Sequence, residues 1–506
     1  LAPFIASVAL PRKNRGERRQ DLLAAEVALA APEPGGDGDL KAAACYPNSY
    51  RVGMASLGYQ LVWGTLAAHP AFRAERFFAN YKGKPSKGLV EDARGLEYGT
   101  PLAEVDVVAL SVYYEPDYLR VYGMLAGGGV RPWAAERGEY DPFVILGGPG
   151  VTANPEPLAP FADAVVLGDA EESLPAVLDV FSERWGAPRK ETLRRLAAIP
   201  GVYVPAFYRV LYGAPGSRPA VVPEEGVPAE VEASRLADLT PYRGGSWLAT
   251  PYGEFGRLLL LEPIRGCGRA CSFCQTAVIS SPPRKRALSS LWPALDEASA
   301  KVNKVGLVGA ALADYGDVVA LARGVVERGM LLSVSSLALA AANTPAVLRA
   351  LGASGQRSVA LAPEAATAEM RARLRKPLAP GRLEECLGVA AEAGLKKIKL
   401  YYIVGAPAEA EGDVAAVGEE LAGLKRRFKR LTFEARVNPL VPKPGTAFAD
   451  APLIPRHEYR ERLRSIKARA RGVNVVGGSW REAKLQADLG RGDRAASRWV
   501  ARAAER

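Results

Sequence analysis

Residues 257–275 read RLLLLEPIRGCGRACSFCQ: four consecutive leucines, a short turn, and then Cys267, Cys271 and Cys274, three of the chain's five cysteines within eight residues. The leucine run has the length and continuity of a strand buried on both faces. Three thiols just past its end call for a metal centre, and zinc is the first candidate. A structural zinc site wants four thiolate or imidazole ligands, yet the chain has only two histidines, His69 and His457, and neither lies near a second ligand pair. Three thiolates can instead hold three irons of a 4Fe-4S cluster, which leaves the fourth iron open to a cofactor or substrate. Gly266, Gly268 and Ala270 suit a loop wrapped closely around such a cluster, because they add no bulk beside it.

Further buried runs follow that strand. The stretches KVGLVGAA (304–311), LLSVSSLAL (331–339), SVALAPEA (358–365), KKIKLYYIVGAP (396–407) and LTFEARVNPLVP (431–442) alternate with segments of helical length. Six βα units in succession predict a partial (βα)6 TIM-like barrel over residues 241–450, with its chemistry at the C-terminal strand ends. Tyr401 and Tyr402 are neighbours on the fifth of these strands, so at most one of them faces inward.

Ahead of the barrel, KAAACY (41–46), VDVVALSVYY (105–114), FVILGGPG (143–150) and ADAVVLGD (162–169) also read as buried strands separated by helices. They predict a doubly wound, Rossmann-like α/β domain over residues 41–212. Residues 1–40 read as an N-terminal arm and the Pro/Gly-rich residues 213–240 as a linker. Residues 451–506 read as a helical, basic C-terminal extension.

The 506 residues carry 66 Lys and Arg against 55 Asp and Glu, a net charge of +11. Basic runs at 425–430 and 456–471 could meet RNA or an acidic partner, although acids interspersed in the second suit a solvated helix face. Five cysteines are too few for a disulfide framework, so a reducing, cytoplasmic setting is expected. Cys45 and Cys386 stand alone and are expected to be small buried hydrophobes. No apolar run reaches the roughly 18 residues of a membrane-spanning helix.

The Cys-x-x-x-Cys-x-Phe-Cys pattern of Cys267, Cys271 and Cys274 resembles the radical SAM superfamily. The strand ends GLVGAALADYGDV, LSVSSLALA, VALAPEAATAEMRARLRKP and IKLYYIVGAPAEAEGD extend the resemblance across about residues 245–450. It implies that S-adenosylmethionine chelates the open iron. It further implies that Phe273 packs beside the adenine, that Ser335 and Glu364 bond the ribose and amino-acid parts, and that Arg371 reaches the carboxylate. Gly405 and Pro407 would form the turn near the adenine. Gly309-Ala310-Ala311 stands where the family usually has the Gly-Gly-Glu turn that cradles the methionine amine, and Ala366-Thr367 replaces the usual Gly-Ser.

The stretches PNSYRVGMASLGYQLVWGTL, DVVALSVYYEPDY, VILGGPGVTANPEPL and DAVVLGDAEESL resemble the strand-end loops of the cobalamin-binding domain that precedes the barrel in one radical SAM class. By that resemblance Gly53, Ser111, Tyr113, Gly147, Gly148, Pro149, Gly168 and Asp169 would approach the corrin and its nucleotide tail. Residues 47–53 contain no histidine, so no histidine from that loop ligates cobalt. The family resemblance implies a 5'-deoxyadenosyl radical, an electron donor such as ferredoxin or flavodoxin, and cobalamin-dependent methylation of an unactivated carbon. Two alternatives stand beside it: radical rearrangement without methyl transfer, and a non-catalytic RNA-binding or assembly role. A small metabolite, lipid, RNA or protein substrate fits equally well at this level.

Overall fold

Leu40–Ser49 (β1) is nearly all buried, and Ala42, Ala43, Ala44 and Cys45 are at most 1% exposed, as a strand inside a covered sheet requires. The computed structural model describes residues 19–30, 38–81, 88–90, 93–183, 186–214 and 219–506. The chain divides into two units. One comprises Leu1–Ala237, Ser246–Arg257 and Leu489–Arg506; the other comprises Asp238–Gly245 and Leu258–Asp488.

In the first unit β1 is joined by Phe72–Asn80 (β2), Val107–Ser111 (β3), Phe143–Gly147 (β4), Ala164–Val166 (β5) and Val202–Tyr203 (β6), in the order β2-β1-β3-β4-β5-β6. All neighbours pair parallel except β5 with β6. The chain order reverses between β1 and β3, which makes that gap the topological switch point of a doubly wound sheet. Leu57–Ala68 (α1) follows β1 and is capped by Ser56, whose Oγ accepts from the Tyr59 N–H at 3.3 Å. Tyr118–Gly127 (α2) follows β3.

The second unit is an arc of seven parallel strands. Leu259–Leu261 (β7), Lys304–Leu307 (β8) and Leu331–Val334 (β9) form its first sheet, in chain order. Ser358–Glu364 (β10), Lys397–Val404 (β11), Thr432–Pro439 (β12) and Asn474–Gly477 (β13) form the second. A parallel bridge from Leu337 to Leu361 connects the two sheets. Helices between the strands cover one face: Ile398, Leu400, Tyr402 and Val404 alternate as the buried side of β11, and the Tyr402 hydroxyl donates to Glu420 at 2.6 Å, on Glu411–Arg427 (α3).

All six sequence-predicted barrel strands are present, and three flanking segments carry elements that the sequence reading did not place. The C-terminal extension is not purely helical, because β13 lies inside it and extends the arc beside β12. Its final helix, Ala496–Ala504 (α4), packs with α2 in the first unit, where the Tyr122 hydroxyl donates to Glu505 at 2.6 Å. The expected linker contains Ala220–Pro223, which pairs antiparallel with Tyr208–Leu211; its residues 215–218 lie outside the described residues. The expected arm contributes a helix, Arg19–Ala25, whose Leu22 is fully buried; residues 1–18 and 31–37 lie outside the described residues.

One strand of the first sheet absent from the sequence reading is β2, FRAERFFAN, whose charges disguise it. It is the sheet edge, and buried Arg76 is held there by Glu26 at 2.7 Å and Glu97 at 2.5 Å. Among the described residues no helix is long and apolar enough to cross a membrane.

Candidate active site

The cysteine loop is stapled at its base. Ile264–Arg265 pairs antiparallel with Arg284–Lys285 and closes the loop that carries all three thiols. Gly266 sits at φ 85°, and a Cβ there would lie 1.9 Å from the Ser280 carbonyl oxygen, so only glycine fits the crossing. Ala270 is also left-handed, at φ 47°. The Ser272 N–H donates to Leu374 O at 3.0 Å, its hydroxyl to Arg373 O at 2.9 Å, and Arg269 forks onto Asp314 at 2.6 and 2.9 Å. These bonds tie the loop to the turn that follows β8 and to the C-terminal end of the helix Ala368–Arg373 after β10.

Cys267 is buried, Cys271 and Cys274 are half-buried, and none is in a disulfide. Burial pushes the Cys271 thiol up to about 11, while Lys376 pulls it down and the charges of Cys274, Cys267 and Glu364 raise it. Burial likewise raises Cys267.

Among the described residues no group of three His, Cys, Asp or Glu side chains converges on a single ion. That is compatible with a cubane, whose cysteines bind separate irons. One further observation fits a resident group: Gln275, next to Cys274, has a buried Nε2 without a hydrogen-bond partner. The donor set, the loop crossing and this orphaned donor fit a 4Fe-4S cluster.

The expected S-adenosylmethionine residues fall at strand ends. The Ser335 hydroxyl donates to Gly309 O at 3.2 Å, and a Cβ on Gly309 would come within 2.9 Å of Ile264. Glu364 ends β10 at φ 65°, a rare conformation for a non-glycine residue, and its carboxylate accepts from Lys376 Nζ at 2.7 Å. Gly405 turns at φ 85° after β11, its N–H donating to Glu409 at 2.7 Å; Pro407 beyond it is exposed.

Two further expected residues are engaged by neighbours within the protein. Arg371 is directed into the helix layer, its Nε donating to Ala365 O at 2.7 Å and its Nη2 to Glu420 at 2.8 Å. Phe273 packs with the apolar cluster of Ala365, Met370, Leu374, Ala406 and Leu440. The cation beside Glu364 is Lys376, which the sequence reading missed: it is twelve residues on, beyond a helix and a left-handed Arg375. The run RLRKP was its only signal.

In the first unit the loops after β1 and β3 flank the switch point, where open sheets bind ligands. The Asn48 amide donates to Asp117 across that gap at 2.9 Å, and its Oδ1 accepts from the Ser49 N–H at 2.9 Å. Asn48 is thus satisfied within the protein and leaves no side-chain base reaching out from the histidine-free loop. Burial raises the Asp117 carboxyl to about 7, against the lowering influence of Arg120 and Asn48.

Several of the glycines expected to face a corrin are explained by the chain's own packing. A Cβ on Gly53 would lie 2.5 Å from the Phe78 ring, one on Gly148 (φ 105°) 2.7 Å from Val112 O, and one on Gly168 (φ 87°) 2.1 Å from Ser234 O. Asp169 accepts from the Leu236 N–H at 2.9 Å, and Ser111 is buried at the end of β3. Gly147 ends β4 with Val166 3.6 Å from its would-be Cβ, and Pro149 starts a short helix. The Tyr113 hydroxyl lies against Gly58.

Residues 58–205 match the family described as radical SAM proteins, N-terminal, and residues 261–421 match the radical SAM superfamily. An uncharacterised protein of Methanocaldococcus jannaschii is 25% identical over 463 residues, covering 90% of this chain and 89% of its own. The fold is similar to that of the radical S-adenosylmethionine methyltransferase TsrM from Kitasatospora setae, solved with cobalamin and a [4Fe-4S] cluster bound: TM-score 0.53, 16% identity, 79% of this chain and 75% of that one. It is also similar to OxsB, a cobalamin-dependent S-adenosylmethionine radical enzyme solved with aqua-cobalamin bound: TM-score 0.52, 12% identity, 86% of this chain and 57% of that one. The cysteine loop, the parallel arc and the doubly wound domain before it agree with these matches, and the chain belongs to the radical SAM superfamily, its residues 58–205 matching the N-terminal domain of radical SAM proteins.

Proposed function

We propose that this protein is a radical SAM enzyme that methylates an unactivated carbon with cobalamin as methyl carrier. The observation that carries the radical part is the stapled loop that holds Cys267, Cys271 and Cys274 just past the end of β7, none of them in a disulfide. A 4Fe-4S cluster held by these three cysteines would supply the one-electron reduction of S-adenosylmethionine from which radical chemistry on the substrate starts.

The chain's own residues bind and orient. The three thiolates hold the cluster, and the Gly266 crossing keeps their loop folded back on itself. Glu364, Lys376 and Ser335 offer one acceptor, one cation and one hydroxyl to the amine, carboxylate and ribose of the cofactor. Gly405, pinned by Glu409, shapes the turn beside the adenine. Holding these groups in one geometry is the protein's main contribution to rate.

Methyl transfer is supported by the similarity of the fold to TsrM, a methyltransferase solved with cobalamin and a [4Fe-4S] cluster bound, and to OxsB, solved with aqua-cobalamin bound. Asn48, bonded to Asp117, fits cobalamin held without a side-chain ligand from that loop. Anaerobic reconstitution followed by iron, sulfide and cobalt analysis tests both parts. About three to four irons per chain and retained cobalt are expected; iron without cobalt overturns the methyl-transfer part, and no iron overturns the whole reading.

A further inference from the structure

The arc has a second edge, where its strands begin, at the opposite end from the cysteine loop. Each of β10 to β13 is entered from a helix through a short turn that carries a cation: Arg357 before β10, Lys396 before β11, Lys429 and Arg430 before β12, and Arg471 before β13. The first three turns are bonded side by side, the Lys396 N–H donating to Arg357 O at 2.8 Å and the Thr432 N–H to Lys396 O at 2.8 Å. Neighbouring strands lie about 4.8 Å apart. The cations therefore form a row along the edge.

Two helices extend this row. A Cβ on Gly418 of α3 would lie 2.6 Å from Cβ of Arg469, at the end of the helix Arg456–Arg469, and one on Gly472 would lie 3.2 Å from Lys425 Cγ. The basic runs at 425–430 and 456–471, distant in sequence, thus come together at the C-terminal ends of the two helices. Residues 421–433 and 462–473 contain no Asp or Glu. Lys396, Arg426, Lys429, Arg430, Lys467 and Arg471 are exposed, and among the described residues none of them is in an ion pair. Of the flanking acids, Glu434 is buried and held by Lys397 at 3.0 Å and Arg436 at 3.1 Å, while Glu392 before β11 is exposed and sets one negative charge against the row. Each helix end adds only about half a negative charge more.

We propose that this edge binds the phosphate backbone of a nucleic-acid strand, laid across the starts of β10 to β13. Guanidinium forks and ammonium groups in a row match the regularly spaced charges of a polyphosphate. A protein partner would bury an apolar or aromatic centre, and a membrane surface would receive apolar anchors beside the cations. This edge offers neither, since every exposed large hydrophobic side chain among the described residues belongs to the first unit. The residues involved lie away from the cysteine loop, so the docking is independent of the cluster.

The test titrates a short, fluorescently labelled single-stranded RNA, and DNA of the same sequence, with the whole chain at several salt concentrations and reads anisotropy. Saturable binding to RNA, DNA or both is expected, and the tighter of the two names the strand. Neutralising about four phosphates predicts a slope of about −3 for the logarithm of affinity against that of salt. Lys429→Gln with Arg430→Gln weakens binding by about tenfold or more and makes that slope shallower by about one. Arg498→Gln with Arg502→Gln removes the same charge from exposed positions of the first unit and leaves binding unchanged.

No saturable binding, or equal weakening by the two double variants, overturns the proposal; Arg471→Gln, on a separate turn and also expected to weaken binding, decides it should the first double variant fail to fold. Competition separates the other classes of partner. Polyglutamate that displaces the labelled strand as readily as unlabelled strand overturns it in favour of an acidic protein, and vesicles of phosphatidylcholine and phosphatidylserine in equal parts that do so overturn it in favour of a membrane surface.

Discussion

Glu364 holds a left-handed backbone at the end of β10 and presents its carboxylate to Lys376. Left-handed non-glycine residues cost roughly 1–3 kcal/mol and persist where the surroundings impose them. Glu364→Gln keeps the shape and removes the charge, so it is expected to leave reconstituted iron unchanged while weakening S-adenosylmethionine binding about tenfold or more, measured by equilibrium dialysis. Equal loss of iron would make Glu364 a support of the loop instead.

Asp117 gives a pH prediction of definite sign. Its carboxyl rises from the ordinary 3.8 to about 7 on folding, mainly through burial. Between those values the folded chain keeps a proton that the unfolded chain releases, so this residue makes stability fall as pH rises through that window. Asp117→Asn is expected to flatten the decline, as read by denaturant titrations at pH 4.5, 5.5 and 6.5; an unchanged profile would show that Asp117 does not hold the proton.

At the scale of elements, the cysteine loop depends on its crossing. Gly266→Ala places a Cβ 1.9 Å from Ser280 O, whereas in Gly268→Ala the nearest atoms are Pro283 ring carbons at 3.6 Å. After reconstitution the first variant is expected to hold much less iron than the second, and equal iron in both would mean that the staple does not shape the site. The edge strand β2 carries another test: Arg76→Met strands Glu26 and Glu97 in the interior and is expected to cost about 3–5 kcal/mol in denaturant unfolding.

These two elements also mark what the sequence makes legible. The thiol loop and the six barrel strands could be read because clustered cysteines and runs such as LLLL or IKLYYIV keep their signature in any context. β2 could not, since Glu75 and Arg76 look solvent-exposed until their distant partners are known. β13 escaped because four residues between two charged helices give no periodicity. Lys376 escaped because its pairing with Glu364 runs across a helix, and Arg371, the more obvious cation, is taken up by Glu420.

At the scale of the whole molecule, the chain crosses between its two units more than once, and its last segment, Leu489–Arg506, belongs with the first. There Arg494 donates to Glu156 at 2.9 Å and to the Tyr203 hydroxyl at 2.6 Å, and Asn154 donates to the Gly490 and Gly492 carbonyls at 2.9 and 2.7 Å. Removing residues 489–506 is therefore expected to lower the unfolding midpoint of the first unit although its strands all lie before residue 258. Hydrogen exchange that speeds up in β3–β6 would support this, and unchanged exchange there would refute it.

Two units, one with a thiol loop above a parallel arc and one with a doubly wound sheet, make a coherent radical enzyme only if the loop holds a reactive cluster. The most direct measurement is anaerobic incubation of the reconstituted chain with dithionite and S-adenosylmethionine, scored for 5'-deoxyadenosine against Cys271→Ala. The account predicts 5'-deoxyadenosine from the unaltered chain and none from the variant; no product from a chain carrying a full complement of iron, or equal product from both, would contradict it.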